Sequence, residues 1–176
     1  MGKLQLTLGT AFLILGAALT AATGTAAVNA GGAETFNGVI VASGKGGVRT
    51  VVSSVVVARG AFNGVGRVVE VENLPGDPDN VSRDDLVFRG GSMHLRSVTT
   101  DQSFSIDPRS CVYSVALTQT GTIEGGTGNF ASASGTSTAT VSVHGVARRD
   151  PDGSCSQTQV PLIDVDMFAS SGTLAF

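Results

Sequence analysis

The chain has 176 residues, 41% of them hydrophobic and 14% charged, with a formal net charge of −3. That length fits one domain, and a mildly acidic chain with no basic block offers little to a polyphosphate backbone. Nucleic acid is thereby excluded as a partner, as is strong recruitment to anionic membranes, and the 24 glycines lack the every-third period of a collagen-like fibre.

Residues 1–30 have the three zones of an export signal. Lys3 is the positive start, Leu4 to Ala22 is an apolar stretch densest at Ala11-Phe12-Leu13-Ile14-Leu15, and a small-residue segment ends in Val28-Asn29-Ala30. Val28 and Ala30 suit signal peptidase, which predicts cleavage after Ala30. The competing reading is a retained anchor, because the apolar stretch approaches the ~20 residues that span a bilayer. Thr, Gly and Gln interrupt it, however, and no basic stop-transfer cluster follows. No cysteine lies near the cut, so lipid attachment there is not indicated. Once Lys3 is removed, the remaining domain, residues 31–176, carries ten basic and fourteen acidic side chains, a formal −4. A domain of that size can bury about two thirds of its unfolded surface.

The domain is rich in Val and Thr, whose β-branched side chains suit strands. The first strand-like run is Thr35 to Ala42, closed by the turn Ser43-Gly44-Lys45-Gly46-Gly47. Val48 to Arg59 is the second, apolar on both faces, as expected of a strand with one face in a barrel and the other covered. Ala61 to Glu72 is the third. Gly60, Gly64 and Gly66 fall on one of its faces and mark a bend or a close backbone approach, the way a small barrel turns a corner. Asn73 to Asp85 then predicts a long polar loop, followed by short runs at Leu86 to Arg89, Met93 to Val98 and Ser103 to Ile106.

The longest run is Cys111 to Ile123, with Tyr113, Val115 and Leu117 on one face and Val112, Ser114 and Ala116 on the other. Gly135 to Arg148 places Val141 and Val143 opposite Ser142 and His144, and Val160 to Phe176 is the last. About eight strands with turn signals between them predict a β-barrel or sandwich, and the domain shows no helical apolar stripe. The two cysteines, Cys111 and Cys155, both follow the signal. An oxidising compartment and an even count predict one bridge, worth ~4 kcal/mol on the chain-entropy view, tying the polar segment Asp152 to Ser156 to the barrel rim. A reactive thiol is disfavoured, since the charge nearest Cys155 is acidic.

The segment Gly121 to Gly135 reads Gly-Thr-Ile-Glu-Gly-Gly-Thr-Gly-Asn-Phe-Ala-Ser-Ala-Ser-Gly. It resembles the Gly-Gly-Thr-Gly-x-aromatic-x-x-Ala-x-Gly turn of the allene oxide cyclase-like barrels. That superfamily includes plant allene oxide cyclases, the dirigent proteins and many uncharacterised secreted bacterial proteins. The match rests on Gly125, Gly126, Thr127, Gly128, Phe130, Ala133 and Gly135, and departs at Ser132, where bacterial relatives usually have Gly. The resemblance implies an all-β fold, an eight-stranded antiparallel barrel whose small cavity often holds an apolar molecule. Read from the residues alone, the turn is structural: Gly allows positive φ and backbone crowding, and Phe130 can plug a barrel end. The catalytic carboxylates of cyclases and dirigents lie outside this turn, and no local pattern carries them over.

Other constellations read as structure. Neither Gly125-Gly126-Thr127-Gly128 nor Gly44-Lys45-Gly46-Gly47 is a phosphate loop, because neither ends in Gly-Lys-Ser/Thr before a helix. Asp77-Pro78-Asp79-Asn80 with Asp84 and Asp85 lacks EF-hand spacing and reads as a turn, so no metal and no cofactor are expected. His94 and His144 sit on strand patterns without neighbouring ligands. Glu70, Glu72 and Glu124 would be acid/base candidates only if they pointed inward, and outward is the ordinary orientation. A terminal Phe176 is common in outer-membrane barrels, but a chain with no Trp and one Tyr lacks their aromatic girdles.

The expectation is therefore a secreted barrel that binds or supports without turnover and holds a small hydrophobic ligand. Its inward residues are drawn from Val52, Val56, Val115, Leu117, Val141 and Val143. The alternative is an isomerase or cyclase in which a buried carboxylate moves a proton. It requires an acid inside an open pocket. No stable membrane insertion is expected after cleavage, and the oligomeric state is left open.

Overall fold

The computed structural model describes residues 31–176. The signal sequence and its cleavage site lie outside the described residues. The chain forms a closed barrel of eight antiparallel strands in sequence order, each pairing with the next and the last with the first. The strands are β1 (Gly32–Ser43), β2 (Thr50–Gly60), β3 (Gly64–Val71), β4 (Val81–Phe88), β5 (Gly91–Ile106), β6 (Val112–Gly126), β7 (Ser134–Val146) and β8 (Ile163–Ala175). Two short 3-10 turns, Lys45–Gly47 and Gly128–Phe130, complete the regular structure. The strands need no crossover, so short hairpins suffice for most of the connections.

Closure depends on strands that bend. At Gly66 a methyl group would lie 2.4 Å from the Val87 carbonyl oxygen and 2.6 Å from the Phe88 ring. The close approach expected of the alternating glycines is thus present there: β3 presses on β4 with no room for a side chain.

Two expectations are corrected. The runs at Met93 to Val98 and Ser103 to Ile106 are one strand, β5. A bulge between Thr99 and Asp101 absorbs Thr100 without ending the ladder to β6. The displaced Thr100 hydroxyl donates to the Thr118 carbonyl at 3.1 Å. The polar stretch Asn73 to Asp85 is not all loop, because β4 begins at Val81. Its charged residues are tolerated because each has a place. Arg83 donates to Asp77 at 2.7 Å and to Glu124 at 2.9 Å, Asp85 meets His94 at 2.6 Å, and Asp84 turns inward.

One end of the barrel is plugged by aromatic rings. Phe62 stands edge-on to Phe88 at 4.9 Å and to Phe130 at 5.1 Å, and Phe176 packs on Phe130 at 6.0 Å. Such pairs add about 0.5–1.5 kcal/mol each beyond their burial. Met93, Leu86, Val56 and Leu174 fill the layer above them, all buried. The expected role of Phe130 as a plug is what the structure shows.

At the opposite end, Cys111 and Cys155 form the disulfide, with Cα atoms 5.4 Å apart. It fastens the segment between β7 and β8 to the start of β6. An antiparallel bridge from Arg149 to Cys155 and a hydrogen bond from Ser156 N–H to the Arg148 carbonyl give that segment local order.

Candidate functional site: a barrel cavity with a carboxylate end

Above the aromatic plug the barrel holds a cavity of about 680 Å³, partly open to solvent at the rim near Glu72, Asn73 and Asn80. Its wall is built by strand alternation, since every second residue of a barrel strand points inward. Phe36 and Ile40 come from β1, Leu86 from β4, Leu117 from β6, Val141 from β7 and Phe168 from β8. Of the residues expected inside, Leu117, Val141 and Val143 line the cavity. Val56 is also inward but lies in the packed core, fully buried. Val115 is half-buried, on the same face of β6 as Leu117, but does not reach the cavity wall.

Val52 is a correction: it is 66% exposed. The β1–β2 register pairs Val41 with Ser53 and Ala42 with Val51, leaving Val52 as the extra residue of a bulge. A bulge reverses alternation beyond it, so Val51 packs on the core and Val52 faces out.

The cavity wall also carries charge. Arg49, just before β2, reaches in and gathers acids from two strands. It donates to Asp164 at 3.2 Å through Nε and at 2.9 Å through Nη2, to Asp166 at 2.7 Å, and to Glu70 through Nη1. Asp164 and Asp166 share one face of β8, while Glu70 on β3 stands opposite Asp84 on β4. One guanidinium therefore serves a group of four carboxylates.

The protonation states follow from that imbalance. Burial pushes Asp84 up to about 6, with the like charge of Glu70 adding to it and Arg49 opposing. Burial likewise raises Asp166 to about 6; Arg49 pulls it down, and Asp164 and Glu70 push it up. Asp166 Oδ1 is buried without a hydrogen-bond partner, a position that suits the neutral acid better than the anion. Burial works against the charge on Arg49, but its bonds to Asp164 and Glu70 outweigh that and raise its pKa. Tyr113 is pushed up to about 12, first by burial and then by Asp164 and Asp166. The arrangement can store and release a proton near neutral pH beside an apolar space.

Glu34, near the plugged end, is a buried acid of another kind. It accepts hydrogen bonds from the Phe62 N–H at 2.7 Å and the Thr35 N–H at 3.2 Å, and so pins the β2–β3 hairpin. The glycine-rich turn is structural in the same sense. Thr127 N–H donates to the Ser92 carbonyl at 2.8 Å, and its hydroxyl accepts from the Ser92 N–H at 3.0 Å. Gly128 has φ +56°, and a methyl group there would lie 2.1 Å from the Gly90 carbonyl oxygen. Gly126 and Gly128 therefore let this turn dock against the start of β5, Gly135 lets β7 approach β8 closely, and Gly125 supplies a positive φ of +97°.

The histidines lie outside the cavity: His94 meets Asp85, and His144 is held between Ser114 and Ser142 at 2.9 and 3.1 Å. Glu124 faces out toward Arg83, as expected, whereas Glu70 is on the cavity wall and Glu72 at its rim. No group of three or more His, Cys, Asp or Glu side chains among the described residues is placed to hold a metal. Sequence reading passed over Arg49, Asp164 and Asp166, and took Asp84 only as part of a polar turn. The signal available was Asp164-Val165-Asp166, two acids at strand spacing inside an apolar run. The chain matches no family model, no curated protein and no solved structure.

Proposed function

We propose that this is an exported binding barrel that holds one small molecule, its apolar body in the cavity and its polar end near the carboxylates. The cavity carries this reading. Its roughly 680 Å³ falls within the ~300–1,000 Å³ of small-molecule sites, and its wall sets apolar side chains such as Phe36, Ile40, Leu117 and Phe168 beside polar and charged ones. Burying about 200 Å² of apolar ligand surface would contribute about 5 kcal/mol. The disulfide supports export, and the closed eight-stranded barrel supports the likeness to allene oxide cyclase-like barrels drawn from Gly121 to Gly135. The test is mass measurement of the protein purified from an oxidising compartment without denaturant. A native mass a few hundred daltons above the denatured mass, lost on organic extraction, supports the reading. Failure to take up any apolar probe overturns it.

A second reading is favoured by Asp84 and Asp166. Acids on a cavity wall, raised to about 6, meet the requirement of an isomerase or cyclase that moves a proton on a hydrophobic substrate. Turnover of such a substrate that disappears in Asp166→Asn while binding persists would establish it.

A further inference from the structure

The barrel wall has one weak seam. Strands β2 and β3 pair at only three positions, Val56–Gly66, Val57–Val65 and Ala58–Gly64, all near the plugged end. Every other neighbouring pair of strands is joined at five or more positions, and β1 and β2 at ten. Beyond Val56 the ladder stops. Continued in the same register it would join Ser54 to Val68, Ser53 to Val69 and Val52 to Glu70. At the first of these a side chain takes the place of backbone pairing. The Ser54 hydroxyl donates to the Val68 carbonyl at 2.7 Å and accepts from the Val68 N–H at 3.0 Å. Further along the same strand, the bulge at Val52 adds a residue to β2 against β1.

What holds the upper part of the seam is one ion pair. Arg49, on the β2 side, reaches Glu70 on β3. Both residues are partly exposed on one side and line the cavity on the other, as does Val68. The neighbouring β3–β4 connection is fastened more firmly. The Thr99 N–H donates to the Asn80 carbonyl at 2.8 Å, the Asn80 side chain donates to the Thr99 carbonyl at 3.0 Å, and Asp77 is gripped by Arg83. Separating β2 from β3 above Val56 breaks no ladder bond. It costs the two Ser54–Val68 bonds and the Arg49–Glu70 pair, and it opens the cavity through its side.

We propose that the β2–β3 seam is a lateral gate to the cavity, with Arg49–Glu70 as its latch. The proposal rests on the binding reading above. The probe is Nile red, a neutral apolar dye whose uptake is insensitive to the charge changes made. Its association is followed by stopped-flow fluorescence on the full domain with the native disulfide intact. One variant, Ser53→Cys with Val69→Cys, carries two outward-facing positions across the seam, joined by a short bismaleimide. The other, Glu70→Gln, removes the latch. The gate requires at least tenfold slower association in the tethered protein with the final fluorescence retained, and severalfold faster association and dissociation in Glu70→Gln. The singly labelled Ser53→Cys protein is the control and should match the parent. Unchanged rates in both variants would overturn the gate and leave the binding reading standing. A parent protein that takes up no dye would overturn both.

Discussion

Replacing Arg49 with leucine tests the site's electrostatics most directly. The substitution keeps much of the stem's bulk and deletes the cation that bonds Glu70, Asp164 and Asp166 and acts on Asp84. The Asp164 side chain is 4% exposed, so it cannot recover water when its partner goes. Removing one member of a buried pair costs about 3–5 kcal/mol, and Arg49 is itself 27% exposed, which places the loss near about 3 kcal/mol. For a domain of this size that is a fall in Tm of about 6–12 °C. The pH dependence is the sharper signature. In the parent, Asp84 and Asp166 have folded-state pKa values raised to about 6 from 3.8, so the folded state binds more protons than the unfolded state between those values. Their contribution therefore favours folding at low pH and weakens as pH rises from about 4 to 6. Leucine at 49 raises those pKa values further, since Arg49 lowers both. The penalty should be largest at pH 8 and shrink markedly at pH 5, read by thermal unfolding followed by circular dichroism. A loss under about 1 kcal/mol, equal at both pH values, would refute the claim that these carboxylates depend on Arg49.

Three further outcomes are expected. Val52→Ser should change stability by no more than about 0.5 kcal/mol, whereas Val56→Ala should cost about 2 kcal/mol in urea unfolding; equal costs would remove the bulge from the account of β2. Reducing the Cys111–Cys155 bridge, which spans 44 residues, should lower stability by up to about 4 kcal/mol, measured as the shift in Tm with and without reductant. Gly126→Ala would place a methyl group 2.0 Å from the Ser92 carbonyl oxygen and should cost at least about 2 kcal/mol, while Gly32→Ala, with its nearest contact at 3.5 Å, should be nearly neutral in the same assay.

The strands were legible because Val- and Thr-rich runs punctuated by glycine, proline and aspartate leave few other options. The plug was legible in Phe130, set behind four residues that favour a tight turn. What escaped is what depends on register. Val52 looks like its neighbours in sequence, and only the Val41–Ser53 and Ala42–Val51 pairings reveal that it is the odd residue. The carboxylate end has the same cause. Asp84 lies in a stretch whose polarity suggests loop, and Glu70 alternates with valines that face solvent. Whether an acid at such a position points in or out changes with a shift of one residue. Arg49 precedes its strand and acts on β8, more than a hundred residues away, a relation no local pattern encodes.

Because β1 and β8 are neighbours, both ends of the domain come out at the same pole. Gly32 is paired with Leu174, and Phe176 rests on Phe130 in the aromatic plug. The carboxylates and the disulfide lie toward the other pole. Chain that continues from Gly31 or from Phe176 therefore leaves the barrel at its sealed base. Held at that pole, the barrel leaves its carboxylate end free.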